Sequence, residues 1–251
     1  MISLVIPMYN EEAIIETTIK SVMVFMEEKF GSKSAILNKD KDSKDNYEVI
    51  FVNDGSRDTT LELAQNLVRD NANIKIISYE QNRGKGCAVR TGMLAASGDI
   101  IFFTDCDLAY GLDVIYEGVA LLSQNSQAGI LVGSRRKHRE GFASYSFMRK
   151  SMSLGFFAVL RVYGGIKQAS DSQSGIKGFR REAAHQILPF CEVDGWSFDF
   201  EMLLIAEKLG IEIIEMPVKI INHGSSKVNI ARDSLQMLRD IAAIKKRVRE
   251  L

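Results

Sequence analysis

The sequence predicts an α/β protein built on a mostly parallel sheet flanked by helices. Short apolar, β-branched runs recur at residues 2–6, 48–52, 74–78, 99–104 and 129–133, and helical patterns separate them. Strands alternating with helices imply parallel pairing with helices on both faces of the sheet. Composition agrees: of 251 residues 46% are hydrophobic, enough for one sizeable core. The 32 basic and 32 acidic residues balance, which excludes a general nucleic-acid binder. Cys87, Cys106 and Cys191 are too scattered for a disulfide or zinc framework and point to a reducing compartment.

The elements follow in order. Residues 2–6 are a buried strand ended by Pro7, with no basic leader that would mark a signal peptide. Met8, Tyr9 and Asn10 form a turn. Asn10 is the expected N-cap of the next helix, with Glu11 and Glu12 at the positive end of its dipole. That helix carries Ile14, Ile15, Ile19, Val22, Phe25 and Met26 at helical spacing. Residues 32–46 are a lysine-rich surface loop. The strand 48–52 runs into Asn53-Asp54-Gly55-Ser56-Arg57-Asp58, which caps a helix over 59–69. The strand 74–78 is followed by the glycine-bearing basic turn 82–86 and a helix over 88–96. The strand 99–104 ends at Asp105-Cys106-Asp107. A helix over 113–123 and the strand 129–133 complete the pattern.

Residues two apart on an extended segment point the same way, so Asp105 and Asp107 share a side. Two adjacent carboxylates repel, and a hard divalent ion relieves the conflict while leaving positions open for substrate phosphates. Asp-x-Asp alone reads better as a polar loop after a strand. Its setting decides, because parallel sheets bind ligands beyond the carboxyl ends of their strands. The loops after the first, second and fourth strands place Tyr9, Asn10, Asp54, Asp105 and Asp107 at one edge. No phosphate-loop or Gly-x-Gly-x-x-Gly pattern occurs, so kinase and dinucleotide readings lack support.

The second half is different in character. Residues 134–139 are basic. Residues 147–162 are apolar and aromatic with Arg149, Lys150 and Arg161 near the ends, and read either as a core helix or as a helix in a membrane interface. The uncharged run 151–160 is far shorter than the roughly 20 residues that span a bilayer, so membrane contact is expected to be peripheral. A polar loop over 170–175 precedes an expected edge strand at 176–180. A helix over 196–210, a strand over 212–218, a flexible loop over 222–227 and a long helix over 229–249 follow. That last helix shows the stripe Leu235, Leu238, Ile241 and Ile244. Its basic end, Lys245, Lys246, Arg247 and Arg249, suits either the helix dipole or an anionic surface.

Four motifs in order, Val5-Ile6-Pro7-Met8-Tyr9-Asn10-Glu11, Val52 to Asp58, Asn82-Arg83-Gly84-Lys85-Gly86 and Asp105-Cys106-Asp107, resemble the family 2 inverting glycosyltransferases of GT-A fold. Gly133-Ser134-Arg135, Asp171 to Lys177, Gly195-Trp196-Ser197-Phe198-Asp199 and Gly224-Ser225-Ser226-Lys227 resemble its polyprenyl-phosphate branch, dolichyl-phosphate β-glucosyltransferases more than mannose synthases. Asn53 and Cys106 depart from the family's Asp-Asp-Gly-Ser and Asp-Ala-Asp. The eukaryotic glucosyltransferases carry an N-terminal membrane anchor, which this sequence does not display.

The resemblance implies one GT-A domain, with residues 1–133 as a Rossmann-like nucleotide-sugar half and 134–251 as an acceptor half. It implies donor binding by Pro7, Tyr9, Asn10, Glu11, Asp54, Gly84, Lys85, Asp105 and Lys227. Asp54 would accept the base N–H, and Lys227 would close over the donor. Asp105 and Asp107 would hold Mg2+ or Mn2+ against the diphosphate, as Lewis-acid assistance. Arg135, Arg149 and Ser153 would hold the phosphate of a polyprenyl or dolichyl acceptor, with Phe156 and Phe157 dipping into lipid. Asp199 is the candidate base if one is used, and reads equally as a helix N-terminal residue held by the dipole. The implied setting is peripheral, on the cytoplasmic face of a membrane, with room for a separate membrane partner. Rival readings are a GDP-mannose donor, a soluble acceptor and a non-catalytic nucleotide-sugar-binding protein.

Overall fold

The computed structural model describes residues 1–31, 46–141, 160–222 and 230–251. Among these, β1 (Ile2–Met8), β2 (Tyr47–Asp54), β3 (Ile74–Tyr79), β4 (Ile100–Thr104), β5 (Ala128–Ser134), β6 (Ile176–Arg180) and β7 (Glu212–Pro217) form one sheet. The helices are α1 (Ile15–Phe30), α2 (Thr60–Val68), α3 (Lys85–Ala95), α4 (Asp113–Gln124), α5 (Arg181–Ile187), α6 (Phe198–Lys208) and α7 (Ile230–Arg249).

The strand order is β3-β2-β1-β4-β6-β5-β7. Every pairing is parallel except those of β6, which is antiparallel to β4 and to β5. The chain steps outward from β1 to β3, then returns to place β4 on the other side of β1. Right-handed crossovers in opposite directions put their helices on opposite faces. Accordingly α1 and α2 pack with Leu4, Ile6, Phe51 and Phe102, and α4, which passes β6 to reach β5, lies on that face as well. Helices α3, α5, α6 and α7 pack with Val5, Val52, Phe103 and Phe179. Alternate residues of β1 thus serve opposite cores, as a strand covered on both faces requires. The reversal at β1 and β4 opens a crevice at their carboxyl ends, where such sheets bind ligands.

Because β6 runs against β4, with Ile176 opposite Thr104, the segment leading into β6 lies at that same edge. This antiparallel strand brings Gly175 against Asp105.

Three expectations are corrected. Strand β6 is interior rather than an edge strand. The lysine that makes it look like an edge, Lys177, is fully buried on an internal carboxylate. Asn10 does not cap α1, which begins at Ile15. Asn10 sits at φ 51° and bonds across to the loop after β2 instead. On α7, Ile241 and Ile244 are buried with Val248, but Leu238 is 39% exposed, and the side chain of Leu235 lies outside the described ones. The loop at 32–45, the 147–159 part of the aromatic segment with Arg149, Ser153, Phe156 and Phe157, and Lys227 lie outside the described residues. Among the described residues no helix is long and apolar enough to cross a membrane.

Candidate active site

The edge is assembled first by lacing the loops after β1 and β2. The Asn10 N–H donates to Ser56 Oγ at 3.0 Å, and Asn10 Oδ1 accepts the Arg57 N–H at 2.9 Å. The Glu11 N–H donates to Thr60 Oγ1 at 2.7 Å. Glu12 accepts from the backbone and hydroxyl of Thr59 at the start of α2, so its charge serves that helix rather than its own. Pro7 lies beyond the last β1 residue that pairs with β4, where a missing N–H costs no ladder bond on that side.

Asp54 is 3% exposed. Its carboxylate accepts from Asn82 Nδ2 at 2.7 Å and from the N–H groups of Arg83 at 2.8 Å and Gly84 at 2.9 Å. These bonds fix the turn that enters α3. The carboxylate expected to meet a base thus already carries three bonds within the protein. Gly84 has φ 108°, a region L side chains rarely adopt, and a Cβ there would overlap the carbonyl of Asp194. That carbonyl accepts the N–H groups of Gly86 at 2.8 Å and Cys87 at 3.3 Å, so the 192–195 loop caps α3. The loop is itself hung on buried Glu201, which accepts from the N–H groups of Glu192 and Val193 and pairs with Arg247 of α7.

Lys85, the first residue of α3, pairs with Asp105 Oδ1. Its ammonium lies 5.6 Å from the ring centroid of Trp196 and 5.9 Å from that of Phe198. Burial alone would lower its pKa, but Asp105 and Asp199 together raise it, so Lys85 stays charged. Asp107 Oδ1 accepts the Ala109 N–H at 3.1 Å. Burial, and next the charge of Asp105, hold the Asp107 carboxyl above the usual range. Cys106 is buried on the core side, between two half-exposed aspartates. A Cβ on Gly175 would overlap Asp105 Oδ2, so only glycine leaves room for that oxygen. Among the described residues no three His, Cys, Asp or Glu side chains converge on one point. Two carboxylate donors with remaining positions left to substrate oxygens fit Mg2+ or Mn2+, which bind through one or two carboxylates and phosphates.

Beneath the edge, Lys177 Nζ donates to Asp199 Oδ1 at 2.6 Å and to the Ser174 carbonyl at 2.7 Å, 5.3 Å from the Phe103 ring centroid. Burial pushes Asp199 up and Lys177 down, and their mutual attraction opposes both shifts. Asp199, expected as a candidate base, is thus 5% exposed and already paired. Arg135 is held by fully buried Asp171 through Nε and Nη2, both at 2.7 Å, and through its backbone N–H at 3.0 Å. The charge expected to meet an acceptor phosphate is matched inside the protein. Tyr110 is buried near Arg135 and Asp171, and burial pushes its hydroxyl up to about 12.

The structure therefore gathers Lys85, Asp105 and Asp107, with Asp199 one layer below, and sets Pro7 near the end of β1 and Tyr9, Asn10 and Glu11 on the loop that follows. Sequence reasoning missed Lys177, Asp171, Gly175 and Asp194 as organisers. Lys177 carried a signal, since a lysine in an apolar strand demands a buried partner.

Residues 3–188 match the family model described as Glycosyl transferase family 2. The dolichyl-phosphate beta-glucosyltransferase of Dictyostelium discoideum is 32% identical, over 97% of this chain and 73% of that protein. Those of Saccharomyces cerevisiae and Homo sapiens are each 30% identical, over 97% and 98% of this chain and 74% and 75% of theirs. Glucosyl-3-phosphoglycerate synthase from Mycobacterium tuberculosis, solved with Mn2+, UDP and phosphoglyceric acid, aligns with a TM-score of 0.65 at 19% identity, over 99% of this chain and 78% of that one. Its complex with Mg2+ and UDP aligns with a TM-score of 0.64 at 20% identity, over 99% and 79%. At these identities the structural likeness shows a common fold.

Proposed function

This chain belongs to glycosyl transferase family 2, with a GT-A fold, and on that premise we propose that it transfers glucose from UDP-glucose to dolichyl phosphate with inversion. The observation that carries the reading is identity of at least 30% to dolichyl-phosphate beta-glucosyltransferases across nearly the whole chain. The edge cluster of Lys85, Asp105 and Asp107 agrees with it.

Tyr9 and Glu11 flank the nucleoside, beside the 82–84 turn that Asp54 fixes. Asp105 and Asp107 would hold Mg2+ or Mn2+, which would neutralise charge developing on the leaving diphosphate. Lys85 supplies a further positive charge at the same place. An ionised phosphate oxygen of the acceptor attacks the anomeric carbon from the face opposite UDP. The bond from that carbon to the UDP oxygen breaks, and UDP departs with the electron pair. An α-linked donor therefore yields a β-linked lipid sugar. The attacking oxygen carries no proton at neutral pH, so the step proceeds without a general base, and Asp199 acts by holding Lys177. Arg149 and Ser153 remain the proposed phosphate contacts. Four residues apart, they share one face if their segment is helical. The protein works as a peripheral protein at the cytoplasmic face of a membrane, alone or with a membrane partner.

The test is a transfer assay with Mg2+, a short-chain polyprenyl phosphate and radiolabelled UDP-glucose or GDP-mannose in parallel, with Asp107→Ala as control. Labelled lipid from UDP-glucose that vanishes in the variant is expected. Labelling from GDP-mannose alone would overturn the sugar. Nucleotide-sugar binding without lipid labelling would overturn the acceptor.

A further inference from the structure

We infer that Lys85 is a place-holding cation for the metal: it neutralises Asp105 until a divalent ion and the donor's diphosphate arrive together, and it moves from the carboxylate to the diphosphate as they bind. The inference rests on the reading of Asp105 and Asp107 as the metal pair.

The arrangement of charge argues for it. Lys85 Nζ contacts Asp105 Oδ1, and its side chain is only 19% exposed. The other nearby carboxylates are engaged elsewhere. Asp199 is bonded to Lys177 at 2.6 Å, and Asp107 Oδ1 accepts the Ala109 N–H. The second oxygen of Asp105 faces Gly175, and the lysine occupies the first. A divalent ion at Asp105 would stand within a few ångströms of an ammonium in a partly dehydrated site, where like charges repel strongly. The two cations compete for one carboxylate. A nucleoside diphosphate removes the competition, because its oxygens accept both the ammonium and the ion. Lysine suits the exchange, being a compact charge on a flexible stem.

Two consequences follow. Free metal binds weakly, so the metal enters with the nucleotide. After transfer, return of Lys85 to Asp105 opposes retention of metal and UDP, which favours product release.

The test measures Mn2+ binding to the full chain without nucleotide, by electron paramagnetic resonance of free Mn2+. Lys85→Met should bind Mn2+ at least tenfold more tightly than wild type, whereas Lys85→Arg should stay weak. Trp196, the chain's single tryptophan, gives a second readout, since the ammonium lies against its ring. Adding Mg2+ with UDP should change its emission in wild type and leave Lys85→Met nearly unchanged. Equal or weaker Mn2+ binding by Lys85→Met, with wild-type binding in the presence of UDP abolished by Asp107→Ala, would overturn the place-holder and leave the metal pair standing. Mn2+ binding insensitive to Asp107→Ala in every background would overturn the metal pair itself, and the place-holder with it.

Discussion

Oδ2 of Asp105 lies so close to the α-carbon of Gly175 that no methyl group fits between them. The obstructing atom is the end of a side chain rather than backbone, so in Gly175→Ala the carboxylate yields and the chain does not. Stability should fall by less than about 1 kcal/mol, while turnover drops on the order of 100-fold as the carboxylate leaves its position. Urea denaturation alongside the transfer assay separates the two. A comparable loss of both would show that the contact is only structural.

Lys177 and Asp199 form a buried pair with almost no solvent to replace either partner. Lys177→Met strands a buried carboxylate and should cost about 3–5 kcal/mol. Adding Asp199→Leu should restore most of that loss. A double-mutant cycle from chemical denaturation measures the coupling, and simple additivity would contradict it.

Glu48, at the opposite end of the sheet, accepts from Ser3 Oγ at 2.7 Å, Lys75 Nζ at 2.7 Å and the Ser97 N–H at 2.6 Å. Burial alone would raise its pKa, but Lys75, Ser3 and Ser97 together hold it at about 2. A depressed folded-state pKa stabilises above the unfolded value near 4.5 and is lost as pH falls toward 2. The stability gap between wild type and Glu48→Gln should therefore shrink by about 3 kcal/mol between pH 7 and pH 2. Denaturation at both pH values checks this.

Arg247 reaches from α7 to the buried carboxylate of Glu201, which carries the loop capping α3. Arg247→Met should cost about 2 kcal/mol, the arginine being partly exposed. It should also speed hydrogen exchange at the Gly86 and Cys87 amides, which bond to Asp194. Exchange accelerated everywhere by the same factor would indicate global destabilisation instead.

Much of this was legible in the chain, for physical reasons. Strands covered on both faces announce themselves as apolar runs, and the aspartate pair stands at the end of one. The position of β6 was not legible, because a lysine in a strand looks solvent-facing until its carboxylate is found 22 residues on. Arg135 likewise looks like a free cation until Asp171, 36 residues away, is brought beside it. The bonds of Asp54 to the 82–84 turn were not legible either, because tertiary structure sets those partners. Side-chain type is local information, and the matching of charge is not.

The antiparallel strand also constrains how the chain is made. Strands β1 to β4 find partners among themselves, but among the described residues β5 pairs only with β6 and β7, both synthesised after it. On the ribosome, β5 emerges with bare edges and must wait for the later strands. The segment completing the sheet also brings Gly175 and Asp171 to the edge, so a chain released early lacks its finished site as well as its closed core.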